Sequence, residues 1–103
     1  PGLIVTSFIP NRSGFERDGT PSNELANGWG CYDLGLHNQN ILLKATELGL
    51  GSLVMGIRDI DKIKGLLDIS KEEIIVSVIA IGISDIEPER PKRKTVEDIT
   101  RFY

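Results

Sequence analysis

The chain predicts an α+β fold in which helices flank a sheet, and three observations carry that expectation. Residues 74–83, Ile-Ile-Val-Ser-Val-Ile-Ala-Ile-Gly-Ile, are apolar almost without interruption, the pattern of a central strand buried on both faces. From about Tyr32 to Leu48, apolar residues recur at steps of three and four, the period of a helix. Only two or three strands are visible, too few for a comfortable sheet around so apolar a strand. The sheet is therefore expected to be incomplete in this chain, with further strands coming from a preceding segment or a partner.

Each element has a local reason. Gly2-Leu-Ile-Val-Thr-Ser-Phe8 is short, apolar and β-branched, and reads as a buried strand. Residues 9–30 hold Pro10, Asn11, Gly14, Gly19, Pro21, Asn23, Asn27, Gly28 and Gly30, a density of turn formers that predicts a loop. Phe15 and Trp29 in that loop allow two readings: a lid over a ligand, or a surface excursion pinned by an aromatic ring. In the helix that follows, Leu34, His37 or Asn38, Ile41, Ala45 and Leu48 form the stripe, and Leu42 and Leu43 widen it, which predicts cover on most sides. Asp33 is placed to complement the helix amino end, and Gly49 to terminate the helix in the left-handed conformation.

Residues 50–57 predict a short strand or turn, with Gly51 and Gly56 inside it. Asp59 or Asp61 can cap a second helix whose Ile60, Ile63, Leu66 and Leu67 face inward. After the strand at 74–83, Ser84 to Lys94 turns polar, charged and proline-containing, an exposed connection. Thr95-Val-Glu-Asp98 is a capping sequence for a last short helix.

Composition narrows the function classes. The 103 residues support one domain at most; 40% are hydrophobic, 26% are charged and the net charge is −3. No apolar run approaches the roughly 20 residues that cross a bilayer, so no membrane partner is expected. The acidic balance, with Glu87, Glu89, Glu97 and Asp98 around the basic run, speaks against a nucleic-acid surface. A single cysteine, Cys31, excludes an internal disulfide and fits a reducing, cytoplasmic setting. Residue 1 is Pro and the only methionine is Met55, so the chain reads as a piece of a longer protein.

Among chemistry-bearing patterns, Leu48-Gly-Leu-Gly-Ser52 contains a Gly-x-Gly. It follows a helix and lacks the third glycine, which removes the dinucleotide fingerprint. One His and one Cys do not make a zinc site. Cys31 and His37 read as ordinary structural or surface residues. Two constellations remain. The first is Asp33-x-Gly35 with Gln39-Asn40-x-Leu42-Leu43-x-Ala45, Leu48-Gly-Leu-Gly-Ser52 and Val54-Met-Gly-Ile57. The second is Arg90-Pro-Lys-Arg-Lys94-Thr-Val-Glu-Asp-Ile99.

In order and spacing, these segments resemble the C-terminal half of FMN-dependent nitroreductases. The resemblance implies that residues 1–103 are the C-terminal part of a single nitroreductase-like domain, with a mixed sheet flanked by helices. It implies FMN as cofactor and places Val54, Met55, Gly56 and Ile57 beside the flavin ring. There a backbone N–H at Gly56 meets flavin N5 or O4, where a donor stabilises charge on the reduced ring. Ile57 stands where many members have a second glycine. Lys92 and Arg93 are implied to meet the FMN phosphate, Lys as a point charge and Arg as a planar fork. No Arg-Arg-Ser-x-Arg-like segment, the family's amino-terminal grip on the cofactor, is present in this sequence.

The implied activity is hydride transfer from NAD(P)H through FMN to a nitroaromatic, quinone or similar acceptor, in a homodimer. No side-chain acid or base is required for it. Two alternatives stand beside this reading. One is a non-catalytic docking module with an anion-binding loop. The other is an FMN enzyme of the same fold that dehalogenates its substrate or breaks down flavin.

Overall fold

The computed structural model describes residues 1–103. The elements run β1 (Gly2–Phe8), α1 (Gly28–Glu47), β2 (Gly51–Met55), α2 (Ile60–Leu67), β3 (Ile74–Gly82) and α3 (Val96–Ile99). The three strands form one sheet in the order β1-β3-β2, so the apolar 74–82 stretch is central, as its composition requires. Ile79 stands opposite Ile4 on one side and Val54 on the other. Both pairings are antiparallel. The α+β class holds, and the parallel pairing that a mixed sheet needs does not occur among these three strands. A bulge between Thr6 and Ser7 shifts the β1–β3 register by one residue.

Helix α1 begins at Gly28, four residues before the expected Tyr32. Two contacts explain the longer helix. The N-cap Asn27 makes no capping bond with its side chain; instead its amide pairs with Asn11. Asn11 N–H donates to Asn27 Oδ1 at 2.7 Å, and Asn27 Nδ2 donates to Asn11 Oδ1 at 3.1 Å. At Gly30 a Cβ would fall on the Phe8 ring, so only glycine lets the first turn of the helix lie on β1. Asp33 consequently sits beyond the first turn and accepts a 2.5 Å hydrogen bond from Ser13 Oγ rather than complementing the helix end.

The expected termination of α1 is present in full. Gly49 has φ +72°, Gly49 N–H donates to Thr46 O at 3.0 Å and Leu50 N–H to Ala45 O at 2.9 Å. That pair of bonds is a Schellman motif, which satisfies the last carbonyls and turns the chain into β2. Asp59, not Asp61, caps α2 by accepting from Lys62 N–H at 3.1 Å. Thr95 and Asp98 form the reciprocal capping box of α3.

Burial corrects four expectations. Strand β1 buries only Thr6, with Leu3 and Ile4 exposed, and β3 is central but half-buried over much of its length, because one face of the sheet has no layer on it. Helix α1 buries only Gly30, Asn38 and Ala45, so it is covered on one side and not most. Helix α2 buries no residue: of the four expected to face inward, Ile60, Leu66 and Leu67 are exposed and only Ile63 is half-buried. Strand β3 carries the core, with Ile75, Ser77, Val78 and Ile79 buried, while Ile83 just beyond it is exposed. Under α1 lies a polar cluster: Asn38 Nδ2 donates to Thr6 Oγ1 at 3.3 Å, and Thr6 Oγ1 and Ser77 Oγ are 2.8 Å apart. These bonds place α1 on the Thr6 face. By the strand register, Leu3, Ala80 and Leu53 share the opposite face, where Leu3 is 71% and Leu53 62% exposed.

The dimensions agree with a half-covered sheet. The shortest principal extent is 22 Å, close to one sheet plus one helix layer. The radius of gyration is 17.0 Å, against about 13 Å for a compact domain of this length. The accessible surface is 8757 Å², about 3,000 Å² more than a folded monomer of this mass exposes. Every residue from Ile83 to Tyr103 is exposed and contributes to that excess.

Candidate functional site

The site builds outward from the end of β2. Val54 and Met55 are its last two residues and pair with Ile79 and Val78 of the central strand. Val54 is exposed and Met55 half-buried. Gly56 and Ile57 follow in open backbone, and Asp59 then starts α2. The turn is thus held between a paired strand and a capped helix.

Its polar groups are arranged unequally. The Gly56 carbonyl accepts a 2.6 Å hydrogen bond from Arg58 Nη1. The N–H groups of Gly56 and Ile57 lie beyond β2, and neither donates to any backbone or side-chain acceptor outside the helices and strands. The Gly56 C=O and the Ile57 N–H belong to one trans peptide, so they point in opposite directions. With the carbonyl drawn to Arg58, the Ile57 N–H is turned away from it. A Cβ at Gly56 would meet no atom within 4 Å, and the Ile57 side chain is 100% exposed. Two backbone donors therefore stand beside open space, a geometry that suits the edge of a flat acceptor ring.

Arg58 was not visible as a site residue in the sequence. Its second guanidinium nitrogen, Nη2, donates to Ile75 O at 2.7 Å, across 17 positions of chain. The available signal was its place between the turn and the Asp59 cap; its β3 partner could not be read from that. The ion pairs of the structure are Lys44–Glu47 and Lys62–Asp59, so no carboxylate neutralises Arg58.

Lys92 and Arg93 lie in the exposed segment between β3 and α3. They take part in no ion pair and no side-chain hydrogen bond, and α3 buries no residue against the sheet. The structure does not pack this basic segment against the 54–57 turn. The groove beside α1, about 390 Å³ and lined by His37, Ile41, Ala45, Leu48, Leu50 and Ile81, contains none of residues 54–57.

The 9–27 loop is tied down by its own bonds. Trp29 Nε1 donates to Asn23 Oδ1 at 2.8 Å, and the Trp29 ring meets Tyr32 edge-on at 5.7 Å. Gly14, at φ +76°, packs under the same indole. Trp29 is therefore the pin of this loop. Phe15 is held in a bridge to Pro21. Cys31 is a free, exposed thiol, and no helix is long and apolar enough to cross a membrane.

Comparison with known proteins agrees with this architecture. The family model of the Nitroreductase family matches residues 4–83, from β1 through the end of β3. Lys92 and Arg93 lie outside that range. A crystal structure of a nitroreductase family protein from Streptococcus pneumoniae TIGR4 is similar in fold, with a TM-score of 0.71 at 24% identity. The likeness covers 79% of this chain and 41% of that one, so the chain spans about two fifths of its length. No curated protein matches the sequence. The match takes in all of the sheet but the first two residues of β1, with α1, α2 and the turn between β2 and α2, and on that ground this chain belongs to the nitroreductase family.

Proposed function

We propose that residues 1–103 form the C-terminal part of a single nitroreductase-like domain, in which the 54–57 turn contacts FMN. The observation that carries this reading is the pair of unpartnered N–H groups at Gly56 and Ile57 beside open space. A flavin edge offers acceptors to such donors, and burying them without partners would cost about 1–3 kcal/mol each. Val54 and Met55 supply the apolar wall of the turn, and Lys92 and Arg93 hold unpaired positive charge suited to a phosphate. The residues present thus fit FMN on the ring side, and the basic segment fits its phosphate once that segment docks.

Bound there, the chemistry FMN supplies is acceptance of a hydride from NAD(P)H and its delivery to a nitroaromatic, quinone or similar acceptor. The chain's own part is to orient the ring through the two backbone amides of the turn and to hold the phosphate with Lys92 and Arg93. No side chain of the turn need gain or lose a proton. A homodimer fits the same reading, because about 3,000 Å² of surface beyond that of a compact monomer awaits cover.

The docking-module alternative draws on the same exposed face, Leu3 and Leu53 included. Colour separates the two. Purified intact protein is expected to carry visible flavin absorbance that is bleached by NAD(P)H under anaerobic conditions. A colourless protein that takes up no added FMN would sink the flavin reading and favour docking.

A further inference from the structure

We infer that Arg58 is the positioning residue of the 54–57 turn: its guanidinium bridges the turn to the central strand and fixes the outward aim of the free Ile57 amide. The inference rests on the flavin reading of that turn and adds a residue to it. Three observations meet at this side chain. Nη1 donates to Gly56 O at 2.6 Å and Nη2 to Ile75 O at 2.7 Å, so one planar fork spans the turn and β3. Nε is buried and has no hydrogen-bond partner. No carboxylate lies within ion-pair distance of the guanidinium.

That combination is unusual for a merely solvated arginine. A surface arginine keeps its donors in water; this one has given up the hydration of Nε to hold two carbonyls. The two carbonyls come from segments that no strand hydrogen bond joins, because β2 pairing ends at Met55–Val78. The fork therefore continues the link to β3 where the ladder stops.

The consequence follows from peptide geometry. Rotating the Gly56–Ile57 peptide would move its N–H with its C=O, since the unit is planar. Holding the carbonyl toward Arg58 keeps the Ile57 N–H pointing the other way. A lysine could carry the charge but not the fork, because its ammonium is a point donor without the planar two-nitrogen reach. The uncompensated positive charge adjoins the same turn, and a cation near a flavin favours its reduced, negatively charged form.

The test uses the intact protein loaded with FMN. Arg58→Met keeps the apolar stem and removes the fork; Arg58→Lys keeps the charge alone. The expected result is flavin binding weaker by about tenfold or more in Arg58→Met, the loss of at least one charge-assisted bond. The flavin midpoint potential becomes more negative, and Arg58→Lys recovers the potential better than the affinity. Wild-type affinity and potential in a folded Arg58→Met protein would overturn the inference.

A second measurement does not depend on any variant folding. In the wild type, the Arg58 guanidinium should give separate Nη signals by NMR, because both nitrogens are held; averaged signals would overturn the clamp. Failure of the wild type to bind any FMN would instead remove the flavin reading itself. The clamp on the turn would then be decided by those guanidinium signals.

Discussion

Substitution of Gly56 separates what the turn does for the chain from what it does for a ligand. A Cβ at this position meets nothing within 4 Å, and its φ lies outside the left-handed range. The polypeptide therefore tolerates a side chain there. Gly56→Ala should stabilise the protein by about 0.4–1 kcal/mol, because alanine narrows the unfolded ensemble. For a domain of this size that moves the melting temperature up by roughly 2–8 °C. Gly56→Val adds an isopropyl group in the space beside the two free amides. If both N–H bonds to the flavin edge are lost, at about 0.5–1.5 kcal/mol each, binding weakens by about 5- to 150-fold. The assay is titration of apo-protein with FMN, read by quenching of flavin fluorescence, beside a thermal melt of each variant. Wild-type FMN affinity in a folded Gly56→Val protein would refute the assignment of this turn to the flavin. A lowered melting temperature for Gly56→Ala would refute the open geometry from which the argument starts.

Other expectations concern the parts that hold the turn in place. Ile79 is fully buried on β3, and Ile79→Ala should cost about 2–5 kcal/mol in urea unfolding; a loss below half a kilocalorie would mean that this core is not the one that forms. In Gly30→Ala the new methyl falls on the Phe8 ring, an overpacking of about 1–3 kcal/mol that Phe8→Leu should partly relieve in the double variant. Thr6→Val removes the hydroxyl that joins Asn38 to Ser77, leaving polar groups unpaired under α1 at about 1–3 kcal/mol. The Thr20 side chain, followed by its backbone N–H, holds the exposed Asp18 carboxylate below its ordinary pKa. A depressed carboxylate favours the ordered loop above its unfolded pKa, and that contribution is lost as pH falls through the lowered value. Thr20→Val should therefore raise the Asp18 pKa in an NMR titration, and an unchanged value would contradict the role of that hydroxyl.

The candidate site was only partly legible before the fold was known. The pattern of residues 50–57 left a short strand or turn, and only the family resemblance singled out Val54 to Ile57; the structure puts Met55 at the last paired position of β2. Arg58 was not legible because its function depends on the Ile75 carbonyl, which only the β2–β3 pairing brings near. Lys92 and Arg93 were legible as a basic run, but charge alone does not say where a segment docks. Here it extends into solvent, where water solvates it well enough without a partner.

What the amino-acid order determined by itself is whatever closes within a few residues. The Gly49 stop, an aspartate cap on α2 (Asp59 or Asp61) and the Thr95–Asp98 box each satisfy backbone groups of one helix end with residues three to five positions away. The central place of β3 belongs with them, because a nearly unbroken apolar run is poorly suited to a sheet edge. Tertiary structure alone decided the rest. Helix α1 begins at Gly28 because Phe8 and Asn11, far back in the chain, press on Gly30 and engage Asn27. It is half-exposed because only one face of the sheet lies beneath it. The aim of the 54–57 turn depends on a carbonyl 17 residues beyond Arg58. Contacts of that span are set by strand register and layer packing, which no local pattern of residues encodes.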